Sequence, residues 1–547
     1  MVERNVVVFA GKYASSSTVE HVEAVAGEFP HWRITILQEF PPRHWRKYLQ
    51  GKLRLLRRQP ISCPLEILAA ILRLAAGTLA RFRRRPVAGS TASPALPESL
   101  ARLTLPNVVH RRVSSLRDPE VVSSVRDLNP WLGISLGAPI LRAPLFRAPE
   151  LGTVNLHKSL LPEYRGMPPG FWELHNAETK TGASVHWVDE SLDTGEIISQ
   201  RELPIPEYST PDGLKVQLDV LGTETLLDAL HKIENGCLVG TPQTDPGRRP
   251  NRQPPWLLAR KVRRRLWNRR RPKHTPPALL RTALKHVVLA FYVLLWVPIR
   301  NRVRSMRGTC HTAVLLYHRV DDAFLDSVTL GVEQFDRQLS VLKRNYEVLD
   351  LASFLQTRGR PRRRPAVVIT FDDGYASKYL AAVLLRRHGL PATFFLSTGM
   401  IGTDQPFSHD VQRLGKHVPA LTWEQVETMT RRGFTFGVHT VNHARLSALP
   451  REEALAEVAE AKAALDFHTG PTEASRCLAY PYGKKTDISD DVRQSLASVG
   501  IDWCLSAYGG VNRPDWDPLD VLRCGCDWSY SSLAFRAVLE GWTRPGE

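Results

Sequence analysis

Two sets of residues have the types and spacing that acyl chemistry at nitrogen requires. Residues 153–170 read Thr-Val-Asn-Leu-His-Lys-Ser-Leu-Leu-Pro-Glu-Tyr-Arg-Gly-Met-Pro-Pro-Gly. On a strand, Asn155 and His157 lie two apart and so face the same side. Moving a formyl group onto an amine passes through a tetrahedral oxyanion, which needs hydrogen-bond donors and a base for the ammonium proton. A side-chain amide and an imidazole supply both. Asp193, in Asp189-Glu-Ser-Leu-Asp-Thr-Gly-Glu-Ile, is placed to orient the imidazole and hold its protonated form.

The second set begins at residues 366–375, Ala-Val-Val-Ile-Thr-Phe-Asp-Asp-Gly-Tyr. An apolar strand delivers Asp372 and Asp373 at its end, and Gly374 permits a sharp turn. Further on, Phe436-Gly-Val-His-Thr-Val-Asn-His-Ala sets His439 and His443 four apart. One carboxylate and two imidazoles leave an open position on a zinc-like ion, where water is acidified and an acyl carbonyl polarised. The other carboxylate is then available as a base. Cys524 and Cys526 form a lone C-x-C without a second pair at zinc-site spacing.

The first stretch resembles the folate-dependent formyltransferases that act on glycinamide ribonucleotide, methionyl-tRNA and amino sugars. The shared pattern is Asn-x-His-x-Ser-Leu-Leu-Pro-x-Tyr-Arg-Gly followed by Asp-x-Gly-x-Ile, with residues 137–141 similar to the strand and turn that precede it. The resemblance implies Asn155, His157 and Asp193 as catalytic residues and 10-formyltetrahydrofolate as donor. It covers about residues 100–245 well and the first 40 only as a Rossmann-like start.

The second set is similar to the NodB-type polysaccharide deacetylases, over nearly all of residues 312–540. That resemblance implies a distorted (β/α) barrel, Asp372 as base, and Asp373, His439 and His443 as ligands of a divalent metal such as zinc. Tyr480-Pro-Tyr-Gly483 looks like the third motif, in which the backbone N–H of Tyr482 contributes to the oxyanion hole, and residues 315–320 also resemble the family. Two departures stand out. Ala479 occupies a place where many members have Arg, and the late Leu-x-His that supplies the general acid is missing. His318, His468 and a water on the metal are the candidate proton donors.

The elements that must position these residues form two α/β parts. Strands are predicted at residues 6–10, 32–37, 313–317 and 366–371, and a helix at 18–28. The domain reading is 1–245 for the formyltransferase-like part, 246–310 for a linker, and 311–547 for the deacetylase-like part. Residues 41–90 break the first pattern as a basic insertion rich in Arg and Lys around apolar residues, and 89–97 reads as a Ser/Pro/Ala loop. The N-terminus lacks an h-region and cleavage site, and seven scattered cysteines fit a reducing compartment.

Net charge is +18, and the segment from Arg248 to Arg307 holds 18 Lys and Arg with no Asp or Glu. The positive charge is therefore local. Residues 287–299 form an uncharged apolar run too short to cross a bilayer. With Trp256, Trp267, Phe291, Tyr292 and Trp296 nearby, the segment suits an anionic membrane surface better than nucleic acid. The expectation is a cytoplasmic bifunctional enzyme on the inner face of the membrane. It would act on an amino sugar carried by a nucleotide or lipid. The alternatives are a single active domain, and a deacylase that removes formyl groups.

Overall fold

The computed structural model describes residues 3–12, 15–40, 100–245, 247–269, 287–407, 410–411, 414–526 and 530–542. The basic insertion at 41–90 and the loop at 89–97 lie outside the described residues. The chain divides into two compact units. One takes in the N-terminal part through Ile205 and Leu218–Arg265; the other takes in Pro206–Gln217 and Leu266–Glu547.

The first unit is built on a seven-stranded sheet in the order β3-β2-β1-β4-β5-β6-β7. Its strands are β1 (Arg4–Ala10), β2 (Trp32–Glu39), β3 (Val108–Val113), β4 (Leu132–Leu136), β5 (Thr153–His157), β6 (Lys180–Trp187) and β7 (Ile197–Pro204). β1 to β5 run parallel, and β6 and β7 are antiparallel additions. Continuous apolar runs mark strands covered on both faces, and Val6–Ala10 and all of β4 are buried accordingly. The helix Ser16–Glu28 turns Val19, Val22, Val25 and Ala26 inward at helical spacing. Strand order reverses between β1 and β4, where parallel sheets open a crevice at their carboxyl ends. There a Cβ on Gly11 would lie 2.5 Å from the carbonyl oxygen of Gly137, so the two loops meet backbone to backbone. Residues 137–141 form this loop entirely; β4 has already ended at Leu136, and no strand lies within them.

The second unit is a near-closed parallel barrel. Its strands are β8 (Thr312–Tyr317), β9 (Arg319–Val320), β10 (Thr329–Leu330), β11 (Glu347–Leu349), β12 (Ala366–Phe371), β13 (Thr393–Leu396), β14 (Thr435–Val438), β15 (Cys477–Ala479), β16 (Trp503–Leu505) and β17 (Arg523–Gly525). The main sheet runs β16-β15-β14-β13-β12-β8-β17 with β11 beside β12, while β9 and β10 form a separate pair. A parallel bridge between Leu505 and Val521 draws the two ends of the main sheet together. β8 and β12 are buried along their whole length. The helix Val332–Asn345 covers them with Val332, Phe335, Leu339 and Leu342, a single helical face. The helix Trp423–Arg431 starts in a capping box of Thr422 and Gln425, which satisfies amides that a helix start leaves unpaired.

Phe371, the last residue of β12, stacks on Tyr317 at 5.2 Å and on Phe394 at 4.8 Å between ring centroids. Phe335 meets it edge-on at 5.8 Å. Phe371, the centre of this aromatic layer, immediately precedes the Asp372–Asp373 pair. Phe371→Ala should destabilise the second unit by about 3–5 kcal/mol through lost burial and the cavity left behind. Urea unfolding would read this as a lowered midpoint, with Phe371→Leu losing distinctly less.

Candidate active sites

The structure brings Asn155, His157 and Asp193 together. β5 carries the first two on one side, and Asp193 approaches on the loop between β6 and β7, with φ of 57°. His157 donates from Nε2 to the carbonyl of Tyr164 at 2.7 Å. Its Nδ1 therefore faces Asp193 Oδ2, 3.6 Å away. The Gly166 amide donates to the same carboxylate at 3.0 Å. Gly166 has φ of 88°, and a Cβ there would lie 2.2 Å from the Asn251 carbonyl oxygen, so only glycine fits. Gly195 is demanded as strictly, since its Cβ would stand 1.9 Å from the Trp187 carbonyl oxygen.

His186 is a member of this site that the motif does not reveal. It projects from β6, directly opposite Asn155 in the antiparallel pairing. Its Nδ1 donates to the Trp187 carbonyl at 2.8 Å, which leaves Nε2 to accept from the Asn155 amide at 3.2 Å. The same Nε2 lies 3.7 Å from Asp193. Only a cross-strand register could have exposed this residue.

Burial pushes the His157 pKa down, and the charge of Asp193 together with the Tyr164 carbonyl offsets part of that shift. The net shift favours the neutral imidazole. Burial would raise Asp193, but the His186 and His157 rings and the Gly166 amide outweigh it and bring the pKa to about 2.

In the second unit Asp373 Oδ1 lies 3.2 Å from Nε2 of both His439 and His443. The three donor atoms lie within 4.8 Å of one another, and this is the one such trio among the described residues. The Nδ1–H of His439 is committed to the Ala479 carbonyl. Its neutral form therefore points a lone pair at a carboxylate oxygen, an arrangement that calls for a cation between them. A carboxylate with two imidazoles fits a borderline divalent ion such as zinc. Cys524 instead directs its thiol to the Gly510 carbonyl.

Asp372 has a different environment. Arg523, fully buried on β17, grips both of its oxygens, with Nη1–Oδ1 at 2.7 Å and Nη2–Oδ2 at 2.6 Å. Burial would raise the Asp372 pKa, but the charges of Arg523 and His439 pull it below the usual range. Arg523 thus brings to the site the guanidinium whose absence at Ala479 marked a departure from the family pattern. Lys378, also fully buried, donates to the Asp372 carbonyl, and burial lowers its pKa to about 7 against the opposing charges of Asp373 and Asp372.

His318 follows β8 directly, and the Asp372 amide bonds to the carbonyl of its neighbour Tyr317 at 2.9 Å. Burial lowers the His318 pKa, while the charges of Asp373 and Asp372 act to raise it. His468 is not in this cluster. Its ring stacks on Trp423 at 3.9 Å and its Nδ1 bonds Glu427 at 3.1 Å, a contact between two helices. Tyr482 stands with its ring 5.1 Å from that of His443, and Arg445 covers the Tyr482 ring at 4.4 Å.

Backbone strain concentrates at these places. Asp193, Asp373, Thr440, His443 and Tyr482 all have positive φ, five of the seven such non-glycine residues among those described. Left-handed conformations cost free energy in residues with a Cβ and persist where the surroundings impose them. Here they turn side chains toward common points at strand ends.

Comparison with known proteins divides the chain in the same two ways. Residues 89–230 match the formyl transferase family, and residues 359–503 match the polysaccharide deacetylase family. A methionyl-tRNA formyltransferase of Flavobacterium psychrophilum is 40% identical over 132 residues, which is 24% of this chain and 42% of that protein. One from Roseiflexus is 33% identical over 181 residues, 33% of this chain and 55% of that protein. The chain thus spans less than two thirds of the length of these curated relatives. Among solved structures, the deacetylase PplD of Streptococcus pyogenes in complex with acetate aligns with 42% of this chain and 99% of its own, at TM-score 0.36 and 21% identity. A sugar N-formyltransferase from a Shewanella species aligns with 45% of this chain and 75% of its own, at TM-score 0.28 and 14% identity. One chain therefore carries a stretch that matches the formyl transferase family in its N-terminal part and a stretch that matches the polysaccharide deacetylase family in its C-terminal part.

Proposed function

We propose that the chain is a bifunctional enzyme. The N-terminal part would move a formyl group from 10-formyltetrahydrofolate to the amine of an amino sugar. The C-terminal part would hydrolyse an N-acyl group from a carbohydrate with a divalent metal. The observation that carries the reading is the presence, in one chain, of two separate sets of acid–base groups gathered at strand ends.

In formyl transfer the amine attacks the formyl carbon, and the carbonyl oxygen becomes an oxyanion. Asn155 gives one amide hydrogen to His186, and its second N–H is the donor for that oxyanion. His157 takes the ammonium proton on Nδ1, with Asp193 stabilising the imidazolium. The bond from the formyl carbon to folate nitrogen then breaks, and the nitrogen recovers a proton. His157→Ala should lower kcat by about 10²- to 10⁴-fold. Because the His157 pKa lies below its usual 6.5, the acid limb of kcat/KM should fall below pH 6.5. Asp193 raises that pKa, so Asp193→Asn should move the limb to still lower pH as well as reduce the rate. A limb that stays in place would remove Asp193 from this role.

In deacylation, Asp373, His439 and His443 would hold the metal, which supplies Lewis acidity toward water and an amide carbonyl when bound. Arg523 keeps Asp372 ionised and aimed, and Asp372 takes the proton from water. The Tyr482 backbone N–H faces the developing oxyanion in this reading. His318, which follows β8 and feels the charges of Asp373 and Asp372, gives the departing amine its proton. Chelation should abolish deacylation and leave formyl transfer unchanged. His318→Gln should slow deacylation by about 10²-fold or more while metal content stays at the wild-type level. Loss of metal from that variant would make His318 a ligand instead.

Deacylation yields a free amine, and formylation consumes one. Run in that order on one amino sugar, the two parts exchange an acetyl for a formyl group. Tethering keeps the second site at high effective concentration for the first site's product. Mass spectrometry on a nucleotide-linked or lipid-linked acetylated amino sugar tests the order. Asp372→Ala should stop at the acetylated sugar, and His157→Ala should accumulate the free amine. If Asp372→Ala instead accumulates a formylated sugar that the wild type converts to amine, the C-terminal part acts as a deformylase and the exchange order is wrong.

A further inference from the structure

Residues 287–307 form one helix, with a π-type turn at Tyr292–Trp296 leading into Val297–Arg307. One side of it is docked. Leu289 and Val293 are buried in a cluster with Ala537, a residue of the helix Ser532–Leu539. Tyr292 meets Trp542 edge-on at 4.7 Å. Arg300 donates to the Glu540 carbonyl at 2.9 Å and pairs with its carboxylate at 2.5 Å. The helix is therefore fixed in orientation.

Its other side is apolar and open. Phe291, Leu294, Leu295, Trp296 and Ile299 are each more than half exposed among the described residues, with Phe291 at 63% and Ile299 at 61%. A contiguous exposed apolar strip of this kind marks an interaction surface. Arg302 and Arg307 are exposed on the same helix, and no acidic residue occurs from Arg248 to Arg307.

We propose that this face seats the protein on an anionic lipid bilayer, with the helix lying in the headgroup plane. An apolar strip with Trp and Phe along it, followed by exposed Arg302 and Arg307, matches the boundary between acyl chains and acidic headgroups. Among the described residues no helix is long and apolar enough to cross a membrane, so the contact is interfacial. A second copy of the chain is a poorer occupant. A two-fold contact would bring the exposed Arg302 and Arg307 of both copies to the same interface. Anionic lipid neutralises them while it takes up the apolar side chains.

The full chain should sediment with vesicles of phosphatidylcholine mixed with phosphatidylglycerol, and much less with phosphatidylcholine alone. Phe291→Glu with Leu295→Glu should lower partitioning at least tenfold. Phe467→Glu, at a residue 83% exposed on a different helix, should leave it unchanged. The milder pair Leu294→Gln with Ile299→Gln, checked by thermal melting, guards against misfolding and should weaken binding in the same direction. Trp296→Phe should remove part of the blue shift in tryptophan emission that vesicles induce. Equal binding to both vesicle types, no binding at low salt, or folded variants that bind like the wild type would each overturn the proposal. Light scattering that shows a dimer converted to monomer by the Phe291/Leu295 pair would do so too, by assigning the face to a second copy.

Discussion

A carboxylate buried at the end of a strand has to be met by charge or by donors, and both parts of this chain are arranged around that demand. An unpaired buried carboxylate would take up a proton and lose its use as a base, an orienting anion or a ligand. Asp193 accepts from the Gly166 amide and stands 3.6 and 3.7 Å from two imidazole rings that meet it with charge when protonated. Asp373 faces two imidazole nitrogens, and the cation that the three donor atoms would hold balances it. Asp372 is met by a fully buried guanidinium. The left-handed backbone at Asp193, Asp373 and His443 follows from the same demand, because these side chains must turn inward at the last residues of a loop or strand.

The two adjacent carboxylates of the barrel show how neighbours in sequence acquire separate roles. Asp372 and Asp373 follow the same strand and are both buried. Arg523 occupies both oxygens of one, while His439 and His443 converge on a single oxygen of the other. A guanidinium fork matches a carboxylate with two parallel bonds and holds it ionised. An imidazole whose far nitrogen is tied to a carbonyl presents a lone pair suited to a cation. Environment, not residue type, sets the two carboxylates apart.

The same reasoning accounts for what the two departures from the deacetylase pattern mean. A guanidinium does not have to come from the third motif, because the end of a barrel is reached from every strand. Arg523 arrives from β17, which pairs with β8 next to β12. The imidazole of His318, just past the end of β8, likewise feels the charges of Asp373 and Asp372, although it precedes the aspartates in the chain. Function at a strand end depends on which side chains gather there, and chain order leaves that open.

The sequence by itself determined the two α/β parts, the strands at β1, β2, β8 and β12, and the membership of Asn155, His157, Asp193, Asp372, Asp373, His439 and His443 in two clusters. Those features are local: apolar runs, period-two spacing, and short motifs in which the partners lie close along the chain or recur at a fixed interval. Tertiary structure alone decided that His186 faces Asn155, that Arg523 holds Asp372, that His318 joins the barrel site while His468 stacks on Trp423, and which side of residues 287–307 is covered. It also placed residues 137–141 wholly in a loop, since the glycine there adopts φ of 65° just where β4 ends. Each of these depends on strand register or helix docking between segments distant in sequence, and no local pattern of residue types encodes that pairing.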